Sequence, residues 1–497
     1  MLPMRSVAWL KRDLRISDHR ALAKASQSEC IALYIAEPSI RAAIDFAPCH
    51  EQFILQSLAH LRTEISALGG RLIYTEGEAV DTLDRLYEAW PFDQLLSHQE
   101  TGNGMTFTRD KAVRSWVIER GIQWIEFPQH GVFRGQAERD GWSARWRARM
   151  QEPVTPVPSG FRSPDTRFAV ERCLPEPEQP SSSPIQRGGE AVARETLESF
   201  LYQRGQNYAT EMSSPVTAGR ACARISPYLA WGNISMRTVL QATQERSEAL
   251  REQADRPPHW LKSLAAFGKR LRWHCHFIQK LEDQPSIEFE NMQRACDGLR
   301  EDEFNENYFS AWKEGRTGFP MVDACMRALR ERKWINFRMR AMLVSFASYD
   351  LWLDWRRTAP WLARQFLDYE PGIHYSQFQM QSGTTGINTL RIYSPAKQVL
   401  DHDPEGHFIH RWCPELSALT GSALARPETL SPTELSAAGL RPGGHYSNPI
   451  VDHAQASREA RRRVSSIRKT IEAREESRQV LARHGSRKKP GRKNRRS

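Results

Sequence analysis

The sequence predicts an α/β domain built on a doubly wound, Rossmann-like parallel sheet, followed by an all-α domain. Two observations carry this. Short apolar segments alternate with longer amphipathic runs over roughly the first 130 residues. Beyond a stretch rich in Pro, Ser and Gly, the short segments fade while helical spacing persists. The expected strands are SVAWL (6–10), CIALYI (30–35), RLIYT (71–75), QLLSH (94–98) and QWIEF (123–127). Between them lie runs such as HEQFILQSLAHLRTEISALG, in which Phe53, Ile54, Leu58 and Leu61 recur at helical spacing. Strand–helix–strand alternation implies right-handed crossovers and therefore parallel pairing. No Walker or G-x-G-x-x-G loop follows the first strand, so this domain lacks the usual nucleotide fingerprints.

The phrases PVTPVPSG, LPEPEQPSSSP and QRGGE mark a linker, which divides the chain into 1–131, a linker over 132–192, a helical domain over 193–455 and a tail over 456–497. In the helical part, Pro320 is a good first-turn residue and Val322, Cys325, Met326 and Leu329 follow on one face. Met339, Met342, Leu343 and Phe346 repeat the pattern in the next helix.

No apolar run is long enough to span a bilayer, and KRD interrupts the first apolar stretch, so a cytoplasmic protein with no membrane segment is expected. The eight cysteines form no C-x-x-C pair, which argues for reduced thiols and against a cysteine metal site. His274 and His276 lie two residues apart, about 200° around a helix, and cannot converge on a metal. Residues 456–497 hold 16 of the 70 Lys and Arg but only 4 of the 59 Asp and Glu; the tail carries +12 and the rest of the chain −1. Such a tail suits a phosphate backbone; a solubilising extension has the same composition. Val464, Ile467 and Ile471 predict that it begins as a helix with one apolar face before RKKPGRKNRRS.

Several phrases follow one another along the chain: VAWLKRDLRISDHRAL from Val7, ISPYLAWGNIS from Ile225, GRTGFPMVDACMRAL from Gly315 and WINFRMRAMLVSF from Trp334. After these come LDWR, FLDYEPGIHYSQFQ, RIYSP, DPEGHFIHRWCPEL and YSNPIVDH. In this order they resemble the DNA photolyase and cryptochrome family over nearly the whole chain outside the linker and tail. The resemblance implies an FAD-binding helical domain and an α/β domain with room for a second, antenna chromophore of unspecified identity.

Carried over by position, the resemblance places the cofactor's phosphates at Cys222-Ala223-Arg224-Ile225-Ser226, where two of the family's hydroxyls are missing, with Tyr208 beside them. Arg340 and Asp368 would form a charged pair across the flavin, with Tyr369 and Glu370 in the same loop. Near flavin N5 the counterpart is Gly372, Ile373 or His374, of which His374 is favoured because it can donate a hydrogen bond. Trp273 and Trp334 would wall a flipped lesion, and Arg338, Lys397 and Gln398 would lie near DNA.

Departures from the family pattern are specific. Arg270 stands where enzymes that repair cyclobutane dimers carry a lesion-contacting Glu, Phe337 where they use Asn, and His274 where they use Arg. Trp355 matches the middle of the family's tryptophan electron chain, but the outer position is Asp302. No Trp occurs between Trp361 and Trp412, which leaves Tyr375 or Phe378 for electron supply. Three functions are compatible with this pattern: a monomeric photolyase acting on damaged DNA, a cryptochrome-type photoreceptor, and a nucleic-acid-binding flavoprotein without light chemistry. The first is favoured, because a neutral body with aromatic pocket residues and a basic tail needs DNA more than a signalling partner.

Overall fold

A computed structural model of the chain describes residues 4–135, 139–178, 183–439 and 446–485. Its N-terminal part holds five strands: β1 (Arg5–Leu10), β2 (Glu29–Ala36), β3 (Leu72–Glu76), β4 (Gln94–His98) and β5 (Gln123–Phe127). They pair in the order β3-β2-β1-β4-β5 and every pair is parallel, with Val7 opposite both Ile31 and Leu95. The predicted strands recur within a residue or two at each end.

Parallel strands need crossovers, and helices supply them: α1 (Arg20–Ala25), α2 (Pro48–Ala67), α3 (Ala79–Ala89) and α4 (Gly104–Glu119). Alternate strand residues bury against opposite layers. Val7, Ile31, Ile73 and Leu95 pack with Leu83, Leu86 and Val113, whereas Ala8, Leu10 and Ala32 pack with Leu22, Phe53 and Leu58. The order reverses between β1 and β4, where an open α/β sheet leaves a crevice at its carboxyl ends.

The Pro-rich stretch is not free chain throughout. Helix α5 (Trp142–Met150) buries Trp142, Trp146 and Met150, and bridges from Arg162 to Glu29 and Arg172 to Tyr74 tie the segment to the sheet.

The two parts meet along the loop after β1. Arg15 donates to the Gly232 carbonyl at 3.0 Å, Arg12 to that of Ala230 at 3.0 Å, and Asn233 to that of Leu14 at 2.9 Å. Gly232 has φ +73°, and a Cβ there would lie 2.2 Å from the Arg12 carbonyl oxygen, so a side chain would push the parts apart.

The helical part is organised by α6 (Trp260–Asp283), α7 (Pro320–Arg332), α8 (Phe337–Ser345), α9 (Trp355–Ala363) and α10 (Pro371–Ser382). Val322, Cys325, Met326, Leu329, Met339, Met342, Leu343 and Phe346 are fully buried, as their spacing predicts. A Cβ on Gly372 would lie 2.6 Å from the Cα of Ile278, so α10 and α6 approach to a distance that glycine permits.

In the tail, α11 (His453–Arg468) and α12 (Ile471–His484) pack on this domain. Val464 is buried beside Tyr349, Gln293 donates to the Ala473 carbonyl at 2.7 Å, and Arg463 pairs with Glu303 at 2.6 Å. Ile471 is 71% exposed, so the apolar face ends before it. RKKPGRKNRRS lies outside the described residues. No helix among the described residues is long and apolar enough to cross a membrane.

Candidate functional site

The charged centre of the site forms where three distant segments meet. The Asp368 Oδ2 accepts from Arg340 Nη2 at 2.8 Å and from Ser226 Oγ at 2.6 Å. Arg340 also donates to the Ile335 carbonyl at 2.8 Å and stacks 4.1 Å over Phe366, so its fork is fixed on both sides. The Asp368 Oδ1 and the His274 Nδ1 are buried without a protein partner. Burial lowers the His274 pKa to about 4, so its ring is neutral beside Asp368.

The 222–226 turn is clamped from outside. Arg204 donates to the carbonyls of Cys222 and Ala223. Arg224 has φ +57°, donates to Gln186 Oε1 at 3.1 and 2.8 Å, and lies 4.0 Å over the Trp334 ring. The Gln186 amide returns a bond to the Arg224 carbonyl at 2.8 Å. Ile225 and Tyr208 are buried; burial raises the Tyr208 pKa to about 12, and its phenol bonds to Arg270.

The mouth is aromatic and cationic. Trp273 and Phe337 are each nearly half exposed, and the Arg270 guanidinium sits between them, 4.8 Å from one ring and 5.4 Å from the other. Arg338 is half-buried with its Nε unpaired, and exposed Lys397 pairs with Asp401 at 3.1 Å. Gln398 is buried with its Oε1 unpaired, so it faces the interior, away from the outer surface that Lys397 occupies.

Two expectations change with the geometry. His374 Nε2 lies 2.9 Å from the Ala359 carbonyl, which can only accept, so that nitrogen carries the proton. Burial lowers the pKa of the ring to about 4; the neutral imidazole therefore offers a free acceptor at Nδ1 and no free N–H. The reason for favouring His374 at N5 thus fails, although its ring does sit among Phe366, Tyr369, Tyr375 and Phe378. Tyr369, expected with Asp368 among the cofactor residues, commits its hydroxyl to Asp45 at 2.5 Å across the domain boundary.

Glu370 lines a small polar chamber with Arg12, His98 and His130, and burial, opposed by Arg12, lifts its pKa to about 7. Trp355 is buried, donates to Asn291 Oδ1 at 2.8 Å and meets Tyr375 edge-on at 6.4 Å; Asp302 is exposed.

Two features were not legible in the sequence. Asp13 Oδ2 lies 2.8 Å from His98 Nδ1 and 3.1 Å from His19 Nε2, which brings together three buried groups of metal-ligand type. Their separations are hydrogen-bond distances, and Asp13 Oδ1 also takes the Lys11 N–H at 2.7 Å. Close to them, a cleft opens at the carboxyl ends of the strands, bordered by Tyr34, Glu37, Asp45, Asn103, Trp231 and Tyr369.

Residues 6–141 match the family model described as DNA photolyase, and residues 267–466 match the FAD binding domain of DNA photolyase. A deoxyribodipyrimidine photo-lyase of Halobacterium salinarum is 28% identical, covering 91% of this chain and 97% of its own length. Cryptochrome-2 of Arabidopsis thaliana is 27% identical over 90% of this chain and 76% of its own length. The crystal structure of a class III photolyase from Agrobacterium tumefaciens superposes with a TM-score of 0.83 at 24% identity, over 95% of this chain and 99% of that one.

Proposed function

Because the chain belongs to the DNA photolyase and cryptochrome family, we propose that it is an FAD-dependent, blue-light-driven DNA photolyase that splits pyrimidine lesions. The observation that carries this reading is the Arg340–Asp368–Ser226 centre with its unpaired Asp368 Oδ1 and His274 Nδ1, set behind the half-exposed Trp273–Arg270–Phe337 mouth. The residues fit a flavin: a fixed guanidinium and unpaired buried polar atoms suit its polar edge, and Phe366, Phe378 and Tyr375 form an aromatic wall. The bound flavin supplies the light-excited one-electron donor.

In this reading Arg340, Asp368 and Ser226 hold the cofactor, and Tyr208 with the 222–226 turn borders it. A lesion must leave the duplex to reach a buried cofactor. Trp273, Trp334 and Phe337 offer aromatic faces for it, and Arg270, Arg338 and Lys397 offer cations for neighbouring phosphates. Along the tail, Arg458, Arg461, Arg462 and Lys469 share an exposed face of α11 and its end, which supports phosphate contact there. The strand-end cleft is the place for a second chromophore. The protein works as a cytoplasmic monomer, with divisions at 131, 192 and 455.

One observation favours the photoreceptor as second reading: the position of the lesion-contacting carboxylate carries Arg270, whose guanidinium is engaged with two rings and the Tyr208 phenol. Loss of pyrimidine lesions from irradiated DNA, assayed with the purified flavoprotein in blue light and in the dark, separates the two. Light-dependent loss is the expected result; light-induced flavin absorbance changes with no repair would overturn the photolyase reading.

A further inference from the structure

Electron supply to the site is where the chain's geometry says most that its sequence does not. On the Trp355 side, the aromatic groups lie under guanidinium groups: Arg356 is 5.1 Å from Trp355, and Arg300 and Arg463 are 4.4 and 4.9 Å from Trp352. Arg356 and Arg463 are themselves paired with carboxylates, so what sets these indoles apart is the proton: Trp355 Nε1–H donates to the neutral Asn291 and Trp352 Nε1–H is buried without a partner, and neither faces a base.

The tyrosines that follow Trp355 inward do have such a base. Tyr375 and Tyr369 both contact the His374 ring, with centroids 5.4 and 5.3 Å away. The Tyr369 hydroxyl donates to Asp45 Oδ2 at 2.5 Å, and Asn103 Nδ2 donates to the same oxygen at 3.1 Å. The Tyr375 phenol bonds to the Tyr369 hydroxyl and to Asp45. All three side chains are buried, yet Asp45 and Tyr369 form part of the wall of the strand-end cleft. Burial, then nearby negative charge, raises both phenol pKa values, so each tyrosine holds its proton until it is oxidised. An oxidised phenol is a strong acid, and inside a protein it needs a base within hydrogen-bond reach.

We infer that Tyr369 is the electron port of the photoreducible site, with Asp45 as its proton acceptor and Tyr375 as the relay toward the flavin; the inference rests on the flavoprotein reading above. One electron leaves the Tyr369 phenol through Tyr375 to the light-excited oxidised flavin, and the hydroxyl proton passes to the Asp45 carboxylate. The products are a neutral tyrosyl radical, a protonated Asp45 and a flavin reduced by one electron. A small thiol or enediol reductant entering the cleft then returns one electron to Tyr369, and Asp45 returns the proton. Tyr369 thus works beside Asp368 and Glu370 on one loop while facing the other domain.

Two arms test this on the full-length chain. In the flavin-loaded protein under anaerobic blue light with dithiothreitol, Tyr369→Phe and Asp45→Asn should each slow flavin reduction about a hundredfold, the low end of what a positioned base contributes. Heavy water should slow the wild type, and Tyr202→Phe, an exposed tyrosine outside the cleft, should match it. In the second arm a ruthenium polypyridyl complex with persulfate oxidises the chain in place of flavin. Electron paramagnetic resonance should show a neutral tyrosyl radical that Tyr369→Phe abolishes and Asp45→Asn slows. Wild-type photoreduction in both Tyr369→Phe and Asp45→Asn would overturn the inference. A Tyr369 radical in the second arm with no photoreduction in the first would uphold the tyrosine–carboxylate pair and overturn the light-driven reading instead.

Discussion

Replacing Asp368 by Ala tests the assignment of the charged centre. The change removes the acceptor of two bonds, from Arg340 at 2.8 Å and Ser226 at 2.6 Å. The Asp368 side chain is 5% exposed and that of Arg340 24%. Breaking a buried ion pair costs about 3 to 5 kcal/mol because the survivor keeps its charge without a partner. Arg340 is partly hydrated and keeps its bond to the Ile335 carbonyl, so the cost here is set lower, about 2 to 3 kcal/mol. Expressed in flavin affinity, that is roughly a 30- to 150-fold loss. The assay is titration of the flavin-free protein with FAD, together with the flavin-to-protein ratio on purification. Asp368→Asn keeps an oxygen for Ser226 and should fall between wild type and Asp368→Ala. Flavin affinity in Asp368→Ala equal to that of wild type would refute the placement of the cofactor against this pair.

Three further outcomes follow from the same geometry. Replacing Arg458, Arg461, Arg462 and Lys469 together by Ala should lower affinity for undamaged DNA and reduce the slope of log K against log salt by up to about 3.6, with flavin content unchanged; an unaltered slope would remove α11 from the DNA-binding surface. Burial holds the imidazoles of His50, His274 and His374 at about 4 against an ordinary 6.5, so the unfolded chain binds protons that the folded one does not. The melting temperature should therefore fall as pH drops from 6.5 toward 4 and show no contribution from these groups above 6.5; a flat profile in that window would contradict their burial as neutral rings. Tyr375→Phe should slow light-driven flavin reduction more than Trp355→Phe does while sparing repair by chemically pre-reduced protein; the opposite order would restore the conventional route through Trp355.

The sheet was readable because β1 to β4 are short apolar runs buried on both faces and the edge strand β5 is a half-buried one, each bounded by polar turns, so alternation with helices implied the parallel pairing without contact information. The helical core was readable for a similar reason: Val322 to Leu329 repeat at a spacing that only one helix face satisfies. The Arg340–Asp368 pair was reached by resemblance, and its third member, Ser226, was expected at the phosphate turn rather than on Asp368. The Gln186 clamp on Arg224 went unread because Gln186 lies in a stretch whose composition signals only irregular backbone. The donor role expected of His374 changes for a local reason: a carbonyl one helix away, at Ala359, takes the proton that the ring was expected to offer.

Tyr369 shows why a loop read by family position can mislead about the direction of a side chain. Asp368, Tyr369 and Glu370 are consecutive, and a resemblance assigns all three to one ligand. The chain turns at Leu367 and Asp368, with the Tyr369 N–H bonded to the Phe366 carbonyl at 3.0 Å, and is extended by Glu370 at φ −128° and ψ 109°, so neighbouring side chains leave this stretch toward different partners. Asp368 accordingly meets Arg340, while Tyr369 reaches Asp45, a partner 324 residues away in sequence. No local pattern encodes such a contact: it requires the loop after β2 and the loop before α10 to be brought together by the packing of the two domains. The Arg12 and Arg15 bonds to the 230–232 backbone do part of that work, and Arg12 also donates to the Tyr369 carbonyl at 2.5 Å. The loop that carries Asp368 is therefore positioned in part by the α/β domain, and a change at Arg12 should disturb the Tyr369–Asp45 contact before it disturbs either core.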